Sequence, residues 1–285
     1  MKFLVLGCNG MVGHVVSLYL KENGHDVIGY ARNKSKFVKT IVGDVTNCEF
    51  LKGIICSNDY DAIINCVGVL NQFAEENHAL AVYLNGYLPH FLAKITTESD
   101  TQIIHLSTDC VFSGQTGGYT EDSMPDGRLF YDRSKAIGEL EDEQNVTLRC
   151  SIVGPDINQS GIGLLNWFLQ QNKSVKGFQK AIWTGQTTLQ LAKTIEEAAK
   201  QRVYGLYNMV PDASISKYEL LILFNKYIRK KSIEIIPDEQ LSLDKSLIRT
   251  RHKGFAYEIP AYEKMVKELG EWMREHKELY PHYEL

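Results

Sequence analysis

The chain has no close cysteine pair, no long apolar run, no strong net charge and no internal repeat, and each lack removes a class of protein. Its six cysteines, Cys8, Cys48, Cys56, Cys66, Cys110 and Cys150, never reach the spacing of a structural zinc site or a thiol redox centre. They read as buried thiols in a reducing compartment, and no metal is expected. The first apolar stretch, Phe3 to Leu6, stops at Gly7 and is too short for a signal-peptide core or a membrane span, which favours a cytoplasmic protein with no membrane partner. A formal charge of -4 and a pI of about 6.1 offer nothing to nucleic acid. The basic run Arg229-Lys230-Lys231 reads as the solvated end of a helix.

What is present is an alternation of apolar runs with amphipathic stretches, the pattern of a parallel sheet covered by helices on both faces. Strands are expected at Lys2-Leu6, Asp26-Tyr30, Ala62-Asn65, Gln102-Leu106, Thr147-Arg149 and Gly205-Met209, with a short one ending before Gly43. Helices are expected near Met11-Glu22, Cys48-Cys56, His78-Thr97, Tyr131-Glu143 and Thr188-Gln201, where apolar residues return every three or four positions. After Arg149, the residues Gly154, Pro155, Gly161 and Gly163 interrupt the rhythm, and helices follow at Leu164-Gln171, Ser216-Ile228 and Ala261-His276. The reading is an α/β, doubly wound domain over 1–152 and about 184–210, with a smaller α/β domain from about 153–183 and 211–285. A chain of 285 residues can bury a core of this size without staples.

Gly7-Cys8-Asn9-Gly10-Met11-Val12-Gly13 follows the first strand and opens the first helix. That placement gives a tight turn, a close backbone approach to a pyrophosphate and free amides that attract its charge, the device of Rossmann-like dinucleotide sites. After the second strand no carboxylate awaits an adenosine ribose; Arg32, with Lys34 nearby, favours NADPH, and NADH is the alternative. Asp44 and Val45 can contact adenine or simply close a turn. Cys66, Val67 and Gly68 are small enough for a nucleotide to pass close by.

Tyr131 and Lys135 stand four residues apart, on one face of the expected helix. A phenol near its usual pKa of about 10 holds its proton tightly, and an adjacent ammonium would lower that value. The strand through His105 ends in Ser107 and Thr108, either of which can hold a carbonyl oxygen beside the tyrosine. His105 itself reads as a core histidine.

These residues resemble the extended short-chain dehydrogenase/reductases, specifically the dTDP-4-dehydrorhamnose reductase group. The likeness rests on the glycine turn, on Ser107-Thr108-Asp109-Cys110-Val111-Phe112, where the group has Ser-Thr-Asp-Tyr-Val-Phe, and on Tyr131 to Lys135 followed by Gly138-Glu139. Asn85, Arg149-Cys150-Ser151, Gly185-Gln186-Thr187-Thr188 and Asp244-Lys245-Ser246-Leu247 extend it along the chain. The resemblance implies Thr108, Tyr131 and Lys135 as the catalytic set. It also implies Asn85, Tyr131 and Lys135 beside the cofactor, and a dTDP- or UDP-linked sugar near Thr108, Asp109, Cys110, Ile152, Trp183, Gln186 and Thr187. Ile152 stands where the rhamnose-forming enzymes carry tryptophan, and Val69 to Phe73 differ from the group's charged segment, so the reaction type is better specified than the sugar. A UDP-2-acetamido-2,6-dideoxy-4-keto hexose, with or without epimerisation, is the rival substrate. A cofactor-binding regulatory subunit without turnover is the rival of another kind, and a homodimer is compatible with the group.

Overall fold

The computed structural model describes residues 1–285 and is built on a parallel sheet of seven strands. In chain order these are β1 (Lys2–Leu6), β2 (Asp26–Ala31), β3 (Lys39–Val42), β4 (Ala62–Asn65), β5 (Gln102–Ser107), β6 (Val146–Arg149) and β7 (Gly205–Asn208). Their order across the sheet is β7-β6-β5-β4-β1-β2-β3. Direction of travel reverses at β1, whose register sets Leu6 opposite both Tyr30 and Asn65. A crevice therefore opens at the carboxyl ends of β1 and β4, where ligands bind in sheets of this kind.

Alternate side chains divide the strands between two cores, as a two-residue period requires. Phe3, Val5, Ile64, Ile104 and Leu148 face the helix Thr188–Lys200. Leu4, Leu6, Ile63 and Ile103 face the helices Cys48–Cys56 and Leu88–Thr96. A third core gathers Val153, Leu165, Phe168, Trp183, Phe224 and Leu269 with the helices Lys217–Tyr227 and Tyr262–Glu275. It borrows Val15 and Leu18 from the helix Met11–Glu22, while Leu247 and Phe255 cross back into the main core. No helix is long and apolar enough to cross a membrane.

The strands of the main sheet match the expected pattern, but short strands at Ser151–Val153, Val175–Phe178, Ala181–Trp183, Gly185–Thr187, Ile215–Ser216, Ile235–Asp238 and Leu243–Asp244 were not expected, and two helices depart from it where a single residue overrides periodicity. The helical run from His78 to Thr96 widens into a π-helical turn at Val82–Tyr87. Pro89 has no N–H to offer the carbonyl of Asn85, four residues back, and its ring crowds that oxygen. The following helix spans only Phe130–Ile137, not to residue 143, because Gly138 caps it and the chain turns there. Gly138 lies so close to the Asn85 carbonyl that a Cβ at 138 would overlap the oxygen. Helix Asn71–Glu76 stands where only a loop was expected. Of the cysteines, Cys8 and Cys150 are buried, but Cys56 is exposed at the end of its helix, against the expectation of uniformly buried thiols.

Replacing Gly138 with alanine should push these two helices apart and destabilise the fold by about 3 kcal/mol, read as a lower urea midpoint at unchanged slope.

Candidate functional site

The glycine turn closes with the Gly7 amide on the Tyr30 carbonyl (2.8 Å) and the Gly10 amide on the Gly7 carbonyl (2.9 Å). Gly7 has a positive φ of 78°, and a Cβ at Gly13 would overlap the Gly7 carbonyl, so the turn and the helix can meet this closely only through glycine. Gly10 caps the helix without a side-chain bond, so no side chain satisfies the first amides of the helix, the groups that attract an anion.

A groove of about 730 Å³ runs from this turn along the carboxyl ends of β1, β2 and β4. Among the expected cofactor residues, Gly7, Asn9, Gly10, Arg32, Asp44, Val45, Cys66, Val67 and Gly68 line it, whereas Met11, Val12 and Gly13 at the helix start and Tyr131 and Lys135 do not. Asn9 is fixed by donating to the Asn33 carbonyl (2.8 Å). Asp44 closes a turn by accepting from the Thr46 amide (2.9 Å) and hydroxyl (2.8 Å); these bonds, aided by Arg32, hold its carboxyl below the usual range. The opposite wall, Leu70, Phe73, Leu80, Leu84 and the loop residues Asp156, Asn158, Ser160, Gly161 and Ile162, was not anticipated. That loop returns over the turn because Tyr283 accepts from the Asp156 amide (3.1 Å) and donates to Asn166 (2.5 Å), a C-terminal tether with no local signature. Asn85 does not line the groove. Inside the π-helical turn, its buried amide accepts from Val69 N (2.9 Å) and donates to Val69 O (3.0 Å) and the Ser134 hydroxyl (3.0 Å).

Thr108, Tyr131 and Lys135 come together beyond the end of β5. The Thr108 hydroxyl accepts from the Cys110 amide (3.1 Å) and donates to Asp109 (3.1 Å). Tyr131, second in its helix, donates its amide to Glu75 (3.1 Å), and its phenol is buried beside Thr108. Burial, with Cys110, Asp109 and Asp132 adding to it, pushes the phenol pKa up, while a bond to Thr108 opposes the rise. The expected lowering by Lys135 is absent, because the Lys135 amine donates to the Leu106 carbonyl (2.6 Å) and lies 3.4 Å from His105 Nε2. Burial pulls this amine down to about 8, with Glu139 opposing. His105 is a buried neutral ring, its pKa driven down by burial and by Lys135. Asn65, whose oxygen accepts from Val67 N, sets its amide nitrogen 3.2 Å from His105 Nδ1, and the other ring nitrogen faces the lysine.

The expected sugar contacts fare unevenly. Gln186 is fully buried and occupied, donating to Met209 O (2.8 Å) and accepting from Thr194 (2.7 Å). Thr187 is buried as the N-cap of Thr188–Lys200, accepting from Gln190 N (3.2 Å). Both are structural, since a helix start inside a core must satisfy its own amides, and neither can meet a ligand. Ile152 is half-buried against the main core, and Trp183 packs on Tyr262 with the Lys217 amine 5.6 Å above its ring. Asp109 and Cys110 adjoin Thr108; burial raises both, the thiol to about 12.

A sequence model described as RmlD substrate binding domain matches residues 1–265. The chain belongs to that family. Members of the RmlD family and their relatives differ in name. A probable low-salt glycan biosynthesis reductase of Haloferax volcanii is 36% identical over 139 residues, 47% of this chain and 46% of that protein, so the match spans about half of each. A dTDP-4-dehydrorhamnose reductase of Aggregatibacter actinomycetemcomitans is 24% identical over 83% of this chain and 82% of its own. The methionine adenosyltransferase 2 subunit beta of Xenopus laevis is 26% identical over 76% and 69%. Among solved structures, a dTDP-4-dehydrorhamnose reductase from Bacillus anthracis, in complex with NADP, superposes with a TM-score of 0.77 at 19% identity, covering 94% of this chain and 98% of that one. At that identity the likeness is one of fold.

The depressed Lys135 pKa carries a sign. Between about 8 and the amine's ordinary 10.5 the unfolded chain keeps a proton that the folded chain releases, so folding stability rises with pH through that window. Relative to Lys135→Met, the native protein should gain about 2 kcal/mol between pH 8 and about 9.5 in urea denaturation; a flat difference would contradict the burial of a charged amine.

Proposed function

We propose that this protein reduces the C4 ketone of a nucleotide-linked 6-deoxy-4-keto hexose, in the manner of a dTDP-4-dehydrorhamnose reductase, using NADPH to make precursors of cell-surface polysaccharide or glycan. The observation that carries the reading is a strand-end hydroxyl, Thr108, beside the phenol of Tyr131, in a chain whose glycine turn offers free amides to a dinucleotide. The groove fits that cofactor: Gly7, Asn9 and Gly10 of the glycine turn line it where a diphosphate would lie, Arg32 stands where a 2′-phosphate would lie, and Val45 with Cys66 to Gly68 walls an adenosine. The chemistry supplied by a bound nicotinamide is hydride donation to the ketone carbon.

The protein's own residues then have distinct tasks. Thr108 donates to the carbonyl oxygen and fixes its direction. Tyr131 delivers its proton to the developing alkoxide, and a phenol pushed up by burial is reliably protonated at neutral pH. Lys135 supplies positive charge one helical turn away and a donor for the nicotinamide ribose. Its resting bond to Leu106 O holds it at the end of β5. The sugar and its nucleotide are assigned to the lobe of about 153–183 and 211–285, in a cytoplasmic protein that can work as a homodimer.

Two other readings stay open. Ile152 and the segment Val69 to Phe73, which depart from the rhamnose-forming pattern, keep open a UDP-2-acetamido-2,6-dideoxy-4-keto hexose, with or without epimerisation. Similarity to a methionine adenosyltransferase subunit keeps open a cofactor-binding regulatory subunit without turnover, against which stands the presence of Thr108, Tyr131 and Lys135 together.

Incubation with NADPH and each keto sugar, followed by loss of reduced-nicotinamide absorbance, separates the three. Tyr131→Phe should lower kcat by roughly a thousandfold while binding NADPH within twofold of the native protein. Full turnover by that variant would remove the assignment of the acid, and no oxidation with any nucleotide sugar would favour the subunit reading.

A further inference from the structure

Both walls of the cofactor groove are fastened to one short segment that lies behind them. After the helix Tyr262–Glu275 the chain makes a short 3-10 helix at Lys277–Leu279 and runs on through Tyr280 and Tyr283, both buried. On one side the Tyr280 hydroxyl lies 2.8 Å from His14 Nε2, and His14 Nδ1 lies 2.9 Å from the Gly10 carbonyl. That carbonyl can only accept, so His14, kept neutral because burial pulls its pKa down to about 4, carries its proton on Nδ1 and accepts from Tyr280. Gly10 belongs to the glycine turn, and one imidazole therefore links Tyr280 to the floor of the groove.

On the other side Tyr283 accepts from Asp156 N (3.1 Å) and donates to Asn166 Oδ1 (2.5 Å). Asn166, fully buried, donates in turn to the carbonyls of Gln159 (3.1 Å) and Gly161 (2.5 Å), so the loop Asp156 to Ile162 is pinned from behind. The loop lies over the start of the first helix, where a Cβ at Gly163 would stand 3.1 Å from the Met11 sulfur. Within it, one Asp156 oxygen accepts from Asn158 N (2.8 Å), and the other lies beneath Gly161, where a Cβ would overlap it. The Asn158 side-chain oxygen accepts from the Ser160 amide (3.2 Å) and hydroxyl (2.9 Å). Its two N–H groups have no protein acceptor, and this exposed side chain lines the groove.

We propose that Tyr280 and Tyr283 form a clamp that sets the width of the cofactor groove and holds Asn158 over the glycine turn as a donor to the diphosphate of the dinucleotide. A diphosphate lying along Gly7 to Gly10 meets backbone on one side only, and a carboxamide on the facing loop supplies donors from the other. A loop fixed in advance costs less ordering when the ligand arrives, so the clamp acts on cofactor affinity. The smaller lobe thereby takes part in holding the cofactor. The proposal rests on the dinucleotide reading above, but it concerns binding and can be tested without turnover.

The probes are NADPH and adenosine 2′-monophosphate, which keeps the adenosine end of the cofactor and lacks its diphosphate, titrated by calorimetry into the full-length protein. Asn158→Asp keeps the oxygen that Ser160 uses and exchanges the donors for negative charge; it should raise Kd for NADPH about tenfold and for the monophosphate by less than about twofold. Tyr283→Phe should raise the NADPH Kd about fivefold and Tyr280→Phe about threefold, again sparing the monophosphate. A tyrosine with a structural role alone would lower the urea midpoint and leave NADPH affinity unchanged. Hydrogen exchange of the native protein tests the clamp without a substitution, since NADPH should slow exchange at 156–162 and 280–283 together. Native NADPH affinity in Asn158→Asp, or equal loss of both ligands, overturns the donor. Native affinity in both phenylalanine variants, or protection of the loop alone, overturns the clamp. A native protein that binds no NADPH removes the cofactor reading and the clamp with it, whereas binding without oxidation by any keto sugar leaves the clamp standing and removes the reductase reading.

Discussion

A buried ion pair organises the sheet edge beside Thr108 and Tyr131. Arg149, at the end of β6, meets Glu139 through two bonds of 2.8 and 2.6 Å and extends to Asn208 on β7 at 3.3 Å. Ser107, at the end of β5, donates to the same carboxylate at 2.6 Å. Three adjacent strand ends and the segment after the Tyr131 helix are thus joined at one point. Buried charges survive only when paired and hydrogen-bonded on all sides, and this pair meets that demand. Thr108 follows Ser107 directly, and Lys135 precedes Glu139 by one helical turn. The relative placement of the proposed acid, cation and carbonyl clamp therefore descends from a single electrostatic requirement.

A second constraint fixes the helix itself. Pro89 frees the Asn85 carbonyl, the π-helical turn accommodates it, and Gly138 offers the one side-chain-free surface against which it can pack. Asn85 and Ser134 then share a hydrogen bond, which ties the loop after β4 to the face bearing Tyr131 and Lys135. The groove lined by the glycine turn and this buried cluster are held in register by the same contact. In the resting protein the lysine is committed to the end of β5 and the phenol is fully protonated, an arrangement suited to proton donation.

Much of this was legible from residue order alone. β1 and β4 fall at their expected residues, as does the first helix, because unbroken apolar runs buried on both faces and the glycine turn mark their limits. The resemblance carried by Ser107 to Cys110 and by Tyr131 to Lys135 led to the family that residues 1–265 match. What failed was long-range. No local signal announces that Gln186 turns inward to Met209 and Thr194, since glutamine is equally at home in a pocket. The loop Asp156 to Ile162 became a groove wall through Tyr283, more than a hundred residues away. Pro89 could have announced the π-helical turn, and Gly138 the early helix end, had each outweighed the apolar period. The pull of Lys135 on the phenol, plausible from spacing, gave way to a carbonyl acceptor visible only in three dimensions.

The central claim is that hydride reaches a sugar carbon beside Tyr131. Its most direct measurement is a reaction of the native protein with NADPH deuterated at the transferable position of the nicotinamide, followed by NMR of the nucleotide-sugar product. The account predicts deuterium at C4 of the hexose, on one face only. Product without deuterium at that carbon, or bound NADPH that stays unconsumed with every keto sugar, would contradict it.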